Sequence, residues 1–199
     1  MPPGTRILEL GPGPGHVALL VQRADLHWLG LEGSLDCLRD LQRVFSGGAI
    51  VDLESLGRLP RGCGAVIAGD TLEHLNDPQR MLRMIHETLP SGGLLFLSVP
   101  NVANLYVRLS LLFGRFPYAD RGILDRTHRY FFTFRSLREM VESAGFLFEC
   151  RAVSTIPLPL AWPRLPKPLL AALSLALSAA THLFPTLLGY QLLLRVRRP

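Results

Sequence analysis

Five times in the first hundred residues a short apolar run gives way to a segment with helical spacing. RILELG (6–11), LHWLGLE (26–32), GAIVDL (48–53), GAVIAGD (64–70) and GGLLFLSVPN (92–101) read as strands, because their apolar residues run nearly unbroken over strand lengths. Between them, HVALLVQRA has helical spacing. SLDCLRDLQRVF (34–45) places Leu35, Leu38, Leu41 and Phe45 on one helical face, with Ser34 as the N-cap. DPQRMLRMIHETLP (77–90) opens with Asp-Pro and turns Met81, Met84, Ile85 and Leu89 inward. Continuous apolar strands joined by helices predict a parallel sheet covered on both faces. SLREMVESAGF (136–146) is a further amphipathic helix, ending at Gly145, and it leads into a sixth strand, FLFECRAVS.

Composition narrows this picture. With 199 residues, 48% of them hydrophobic and 19% charged, the chain can bury a full core as a single domain spanning 1–199. Cys37, Cys63 and Cys150 are odd in number and far apart. They form neither a disulfide framework nor a zinc spacing, which points to a reducing, cytoplasmic compartment. MPPGTR contains no apolar signal-peptide core. The net charge of +5 is densest in RVRRP and in the arginines between 115 and 138. That suits an anionic substrate or membrane surface, and equally a solvated face.

The chemistry begins at ELGPGPGH. In a parallel sheet ligands gather at the carboxyl ends of the strands, and this loop leaves the first strand for a helix. Gly11, Gly13 and Gly15 follow Glu9 at alternating positions. The dinucleotide spacing GxGxxG would need glycine at 16, where His16 stands. Acid-x-Gly-x-Gly-x-Gly instead suits a nucleoside with a small charged tail. The alternative is a tight turn without a ligand.

From residue 5 to about 150 the chain resembles a class I S-adenosylmethionine-dependent methyltransferase. ILELGPGPG, LGLEGS, VDLES and GDTLEHLNDP match that family's motifs in order and spacing. The last is similar to the subgroup of ubiquinone-biosynthesis O-methyltransferases and methionine-biosynthesis-type relatives. Gly64 departs from the family's usual Asp at the start of strand four. The resemblance implies an α/β, Rossmann-like fold: a seven-stranded, mostly parallel sheet with helices on both faces and an antiparallel last strand. It implies S-adenosylmethionine as cofactor. The glycine loop would lie on its methionine part, Glu9 near the amino group, Glu32 on both ribose hydroxyls, Asp52 on the adenine amino group and Leu53 on the ring. Asp70 would border the reacting atoms.

Related quinone methyltransferases bind a divalent ion with a cluster like Asp70, Glu73 and His74. In the competing reading these residues only tie a loop, and no metal is the favoured expectation. Residues 101–133 form an insert beyond strand five, over the cofactor's methyl group. It carries Asn101, Asn104, Tyr106, Arg115, Tyr118, Asp125, His128, Arg129 and Tyr130. His128 is the first candidate general base, with His74 and Asp125 beside it. The alternative is that His128 and Asp125 tie the insert to the sheet.

No Asp, Glu, Lys or Arg occurs from Pro168 to Leu194. LLGYQLLLRVR fits a seventh strand at the reversed edge of the sheet. The proline-rich and apolar segment 157–186 is then a helical lid over the substrate mouth, a membrane-contacting element across 168–194, or a span. Family members carry helices before strand one. The insert, the apolar helix or a partner would replace that cap here, or the chain is a shortened version. The expected reaction is methyl transfer to an oxygen, or less favourably a nitrogen, of a small, lipid-linked or glycan-linked acceptor. The alternative is an inactive S-adenosylmethionine-binding domain that serves as a regulatory or scaffold partner. Nucleic acid is not an expected partner, because no basic stripe with interleaved aromatics is present.

Overall fold

The computed structural model describes residues 1–21 and 23–199, without the side chains of residues 160 and 161. One seven-stranded sheet organises the chain. Its strands are β1 (Arg6–Leu10), β2 (His27–Glu32), β3 (Gly47–Ile50), β4 (Ala65–Gly69), β5 (Leu94–Pro100), β6 (Leu147–Val153) and β7 (Gln191–Arg197), in the order β3-β2-β1-β4-β5-β7-β6. Neighbours are parallel except around β7, which runs antiparallel to both β5 and β6. The expected mostly parallel sheet with an antiparallel last strand is therefore present. One detail differs: β7 lies inside the sheet and β6 forms its edge. Leu192, Leu194 and Val196 of β7 are buried. By contrast β6 carries Glu149 and Arg151 and is exposed along most of its length, as an edge strand should be.

The helices are α1 (His16–Val21), α2 (Leu38–Val44), α3 (Pro78–Thr88), α4 (Leu105–Leu112), α5 (Phe134–Ser143), α6 (Leu158–Ala161), α7 (Lys167–Leu183) and α8 (Pro185–Leu188). On one face of the sheet Leu8, Leu10, Val66, Leu95, Leu97 and Val99 pack against Met81, Leu82 and Ile85 of α3 and Leu137 and Val141 of α5. On the other face Ile7, Trp28 and Ala65 meet Leu41 of α2, Phe45 and Ala18 of α1. The four inward positions expected of α3 are all buried, and the Asp77 carboxylate caps its first turn by accepting from the Arg80 N–H at 2.8 Å. The face expected of residues 34–45 is only half right. A 3-10 turn occupies Leu35–Cys37 before α2 begins. Its tighter winding breaks the helical phase, so Leu41 and Phe45 are buried while Leu35 and Leu38 are exposed. Ser34 does cap that turn, accepting from the Asp36 N–H. The expected helix 16–24 is described only to Val21; Gln22 lies outside the described residues.

All carboxyl ends of the parallel strands point to one end of the sheet. Asn101, just after β5, donates from Nδ2 to the carbonyls of Thr186 and Gly189, and Asn104 donates to Gly189 as well. These bonds hold α8 and the start of α4 together at that end. Of α7 only Leu170 and Thr181 are buried. No described helix is long and apolar enough to cross a membrane.

Candidate functional site

A cleft of about 590 Å³ opens at the carboxyl ends of β1, β2 and β4 and is lined by Gly11, Gly13, Glu32, Gly33, Asp52, Leu53, Asp70, Thr71 and His74, among others. Gly11, Gly13 and Gly15 all have left-handed backbone, with φ of 62°, 53° and 77°, a conformation that glycine adopts without a Cβ penalty. Their surroundings differ. A Cβ on Gly11 would press on the Thr71 hydroxyl, whereas one on Gly13 would meet nothing within 4 Å. Gly15 is not part of the cleft wall; a Cβ there would come within 3.0 Å of the Val44 and Phe45 side chains.

Glu32 braces the loop. Its carboxylate accepts from the Gly13 N–H at 2.8 Å and from the Ser34 N–H at 2.9 Å. Each oxygen keeps a second lone pair. Asp52 accepts from the Glu54 N–H at 3.0 Å through Oδ1, leaving Oδ2 open. Leu53 is buried in the main core and still borders the cleft.

Glu9 lies in β1, off the cleft wall. It is buried, and its Oε2 has no hydrogen-bond partner. Burial pushes its carboxyl up to about 7. An unpartnered buried carboxyl next to three positive-φ glycines fits a cofactor that brings an ammonium group. Glu32 and Asp52 supply acceptors for hydroxyls and an amine. The residues present therefore fit S-adenosylmethionine.

Asp70 stands at the rim with φ of 48°, rare for a residue with a side chain. Its two oxygens accept from Gln191 Nε2 at 2.8 and 2.6 Å. This contact between the end of β4 and the start of β7 was not foreseen, although a lone polar residue opening the run QLLLRVR was a visible signal.

The insert brings a second cluster to the His74 side. Thr127 Oγ1 donates to Asp125 Oδ1 at 2.7 Å and lies 3.1 Å from His74 Nδ1. The hydroxyl proton is committed to a carboxylate that can only accept, so His74 Nδ1 carries the proton toward Thr127. His128 Nδ1 lies 3.2 Å from the Ile123 carbonyl, which also can only accept. Nδ1 is again the donor, and the Nε2 lone pair is left available. Burial holds the His128 ring below the usual histidine range, favouring the neutral form. The two imidazoles meet edge to face at 4.9 Å. Thr127, which links Asp125 to His74, carried no signal beyond its neighbours.

Glu73 is fully buried with both oxygens unpartnered, and desolvation, helped by the nearby Asp70, pushes it up to about 8. Its backbone carbonyl accepts from the N–H groups of Arg129 and Tyr130, which fastens the insert over the loop after β4. Glu73, His74 and His128 each offer one atom, all within 4.8 Å of one another. Asp70 is not in that group, so the cluster that comes together is not the one expected for a metal.

A family model described as a methyltransferase domain matches residues 2–150. The fold is shared with an S-adenosylmethionine-dependent methyltransferase from Mesorhizobium loti, at 19% identity over 100% of this chain and 94% of that one, with a TM-score of 0.65. A second such enzyme, from Archaeoglobus fulgidus, is 16% identical over 98% of this chain and 86% of that one, with a TM-score of 0.62. Phosphoethanolamine N-methyltransferase 2 of Haemonchus contortus, in complex with S-adenosyl-L-methionine, is 13% identical over 100% of this chain and 50% of that one, with a TM-score of 0.59. At these identities the likeness is one of fold. No curated protein matches the chain. The family model runs from β1 into β6, across every strand and loop that builds the cleft, and the chain accordingly belongs to the methyltransferase domain family, as an S-adenosylmethionine-dependent methyltransferase.

Proposed function

We propose that this methyltransferase alkylates an oxygen of a small, lipid-linked or glycan-linked acceptor, and that His128 takes the proton the acceptor loses. The observation that carries this reading is the bond from His128 Nδ1 to the Ile123 carbonyl. It fixes the tautomer and leaves Nε2 as a base. A hydroxyl holds its proton at neutral pH until the moment of attack and gains from such a base; a neutral amine does not need one.

In this reading residues 5–100 hold the cofactor and 101–133 shape the acceptor side. The backbone of Gly11 and Gly13 lies against the methionine part, and Gly15 keeps the loop seated on α2. Glu9 pairs with the ammonium group. Glu32 receives the ribose hydroxyls on its free lone pairs, Asp52 Oδ2 receives the adenine amine, and Leu53 packs on the ring. Asp70, anchored by Gln191, borders the sulfur side. The bound cofactor supplies a methyl carbon on a positively charged sulfur, so that an acceptor oxygen displaces a neutral thioether. His128 Nε2 takes the hydroxyl proton in that step, and the Asp125–Thr127–His74 chain orients the neighbouring ring. Alignment of the reactants supplies much of the remaining acceleration.

Calorimetric titration with S-adenosylmethionine and S-adenosylhomocysteine tests the cofactor roles. Glu32→Gln keeps the shape but offers only one acceptor oxygen, and is expected to weaken binding by about tenfold, or about 1.4 kcal/mol. Unchanged affinity in a folded variant would remove Glu32 from the site.

A further inference from the structure

We propose that α7 and α4 together dock the chain on an anionic lipid surface, with the cleft end of the sheet facing the bilayer. This goes beyond methyl transfer and does not depend on the roles assigned to the cleft residues.

The argument starts from what α7 lacks. Its sequence, KPLLAALSLALSAATHL, is apolar nearly all round. Such a helix belongs in a protein core or in lipid. Here it lies on the surface: Leu169, Leu173, Leu175 and Leu183 are exposed, Leu175 by 74%, and the chain buries only Leu170 and Thr181 of it. With 17 residues it is not long enough to span. An apolar helix lying in the plane of a bilayer interface satisfies both facts.

α4 repeats the pattern. Leu109, Leu111, Leu112 and the adjoining Phe113 are exposed, Leu112 by 76%. Both helices sit at the same end of the sheet. α4 follows the carboxyl end of β5, α8 leads from α7 into β7 opposite Pro100, and Asn101 and Asn104 bond across to α8 and Gly189.

Charge selects the occupant. Segments 101–119 and 157–190, which include both helices, contain four arginines or lysines and no aspartate or glutamate. Arg108, Arg115, Arg164 and Lys167 flank the apolar surface and are exposed. Acidic headgroups complement that surface. A second copy of the chain would also cover the leucines, but a two-fold contact would set like charges against each other.

The test uses the whole chain with vesicles of phosphatidylcholine, with and without phosphatidylglycerol. Co-sedimentation is expected with the anionic vesicles, at least tenfold weaker with the neutral ones, and weakened by salt. Trp162 is exposed and Trp28 is buried, so a blue shift on binding reports the α6–α7 segment. Leu175→Glu/Leu183→Glu and Leu112→Glu/Phe113→Glu change only exposed positions. Each pair is expected to lower partitioning by about tenfold or more, while Leu35→Glu, an exposed leucine on the 3-10 turn before α2, leaves it unchanged. Absence of vesicle binding, equal binding by the native chain and both double variants, or a dimer that these variants dissolve would overturn the proposal. Cofactor affinity measured on the same variants should stay constant, which separates a failure here from a failure of the cofactor reading.

Discussion

His128 is half-buried, Glu73 and Glu9 are buried, and pH separates the three. His128 is held below the usual histidine range by burial. Its ring loses its proton as pH rises toward neutrality, so kcat/KM should climb with pH at the acid end and then level. In His128→Asn that acid limb should vanish and the rate fall by about a hundredfold; a variant that retains the limb would take the proton away from His128. Glu73 has its pKa raised from 4.5 to about 8 by desolvation. Between those values the unfolded chain releases a proton that the folded chain keeps, so the folded state loses about 1.4 kcal/mol of stability per pH unit as pH rises through that window. Glu73→Gln removes the effect. Its melting temperature should gain on the native chain between pH 5 and pH 8, and a constant gap would mean that Glu73 is ionised in the fold. Glu9, raised to about 7, must become a carboxylate to pair with an ammonium. Below pH 7 cofactor affinity should drop about tenfold per unit, with proton release on binding visible as a buffer-dependent calorimetric heat. None of these shifts could be read in the sequence. It shows that an acid is present, but the depth of burial that sets its pKa is a tertiary property.

At the scale of elements, legibility followed the strength of the local period. The strands of the parallel half and α3 were foreseen within a few residues because the apolar pattern there has a single solution. The segment 34–45 was legible only in part, since a 3-10 turn and an α-helix share composition and differ in phase. The glycine loop was legible as the turn from β1 into α1, yet the sequence treated its three glycines alike. In the fold Gly13 borders open space, whereas Gly15 yields to α2. The ties around Asn101 were invisible, because they join residues distant in sequence. Asn101→Ala should lower stability by about 1–3 kcal/mol, since the Thr186 carbonyl loses its Asn101 donor and the Gly189 carbonyl keeps only Asn104; denaturant unfolding measures this. Gly48 offers a second check. A Cβ there would come within 2.7 Å of the Gly30 carbonyl oxygen, a backbone atom that cannot swing aside, so Gly48→Ala should destabilise the β2–β3 pair by about 1–3 kcal/mol. Wild-type melting in that variant would imply that β3 shifts without cost.

For the whole molecule, composition bounded the fold class, and the order of motifs placed the cleft at one end of a parallel sheet. It did not place β7 between β5 and β6, since that pairing is a choice between distant partners that no local pattern records. That choice bears on biosynthesis. β7 is translated after every other strand of the sheet, yet it occupies an interior position, with Leu94 of β5 opposite Arg197. Until the ribosome has delivered residues 191–197, β5 carries an open apolar edge and β6 has no partner in the sheet. The nascent chain therefore passes through a stage with an unpaired edge next to an exposed apolar helix, a form open to strand-by-strand aggregation. A holdase that shields β5, or early capture of α7 by lipid, would carry it through that interval.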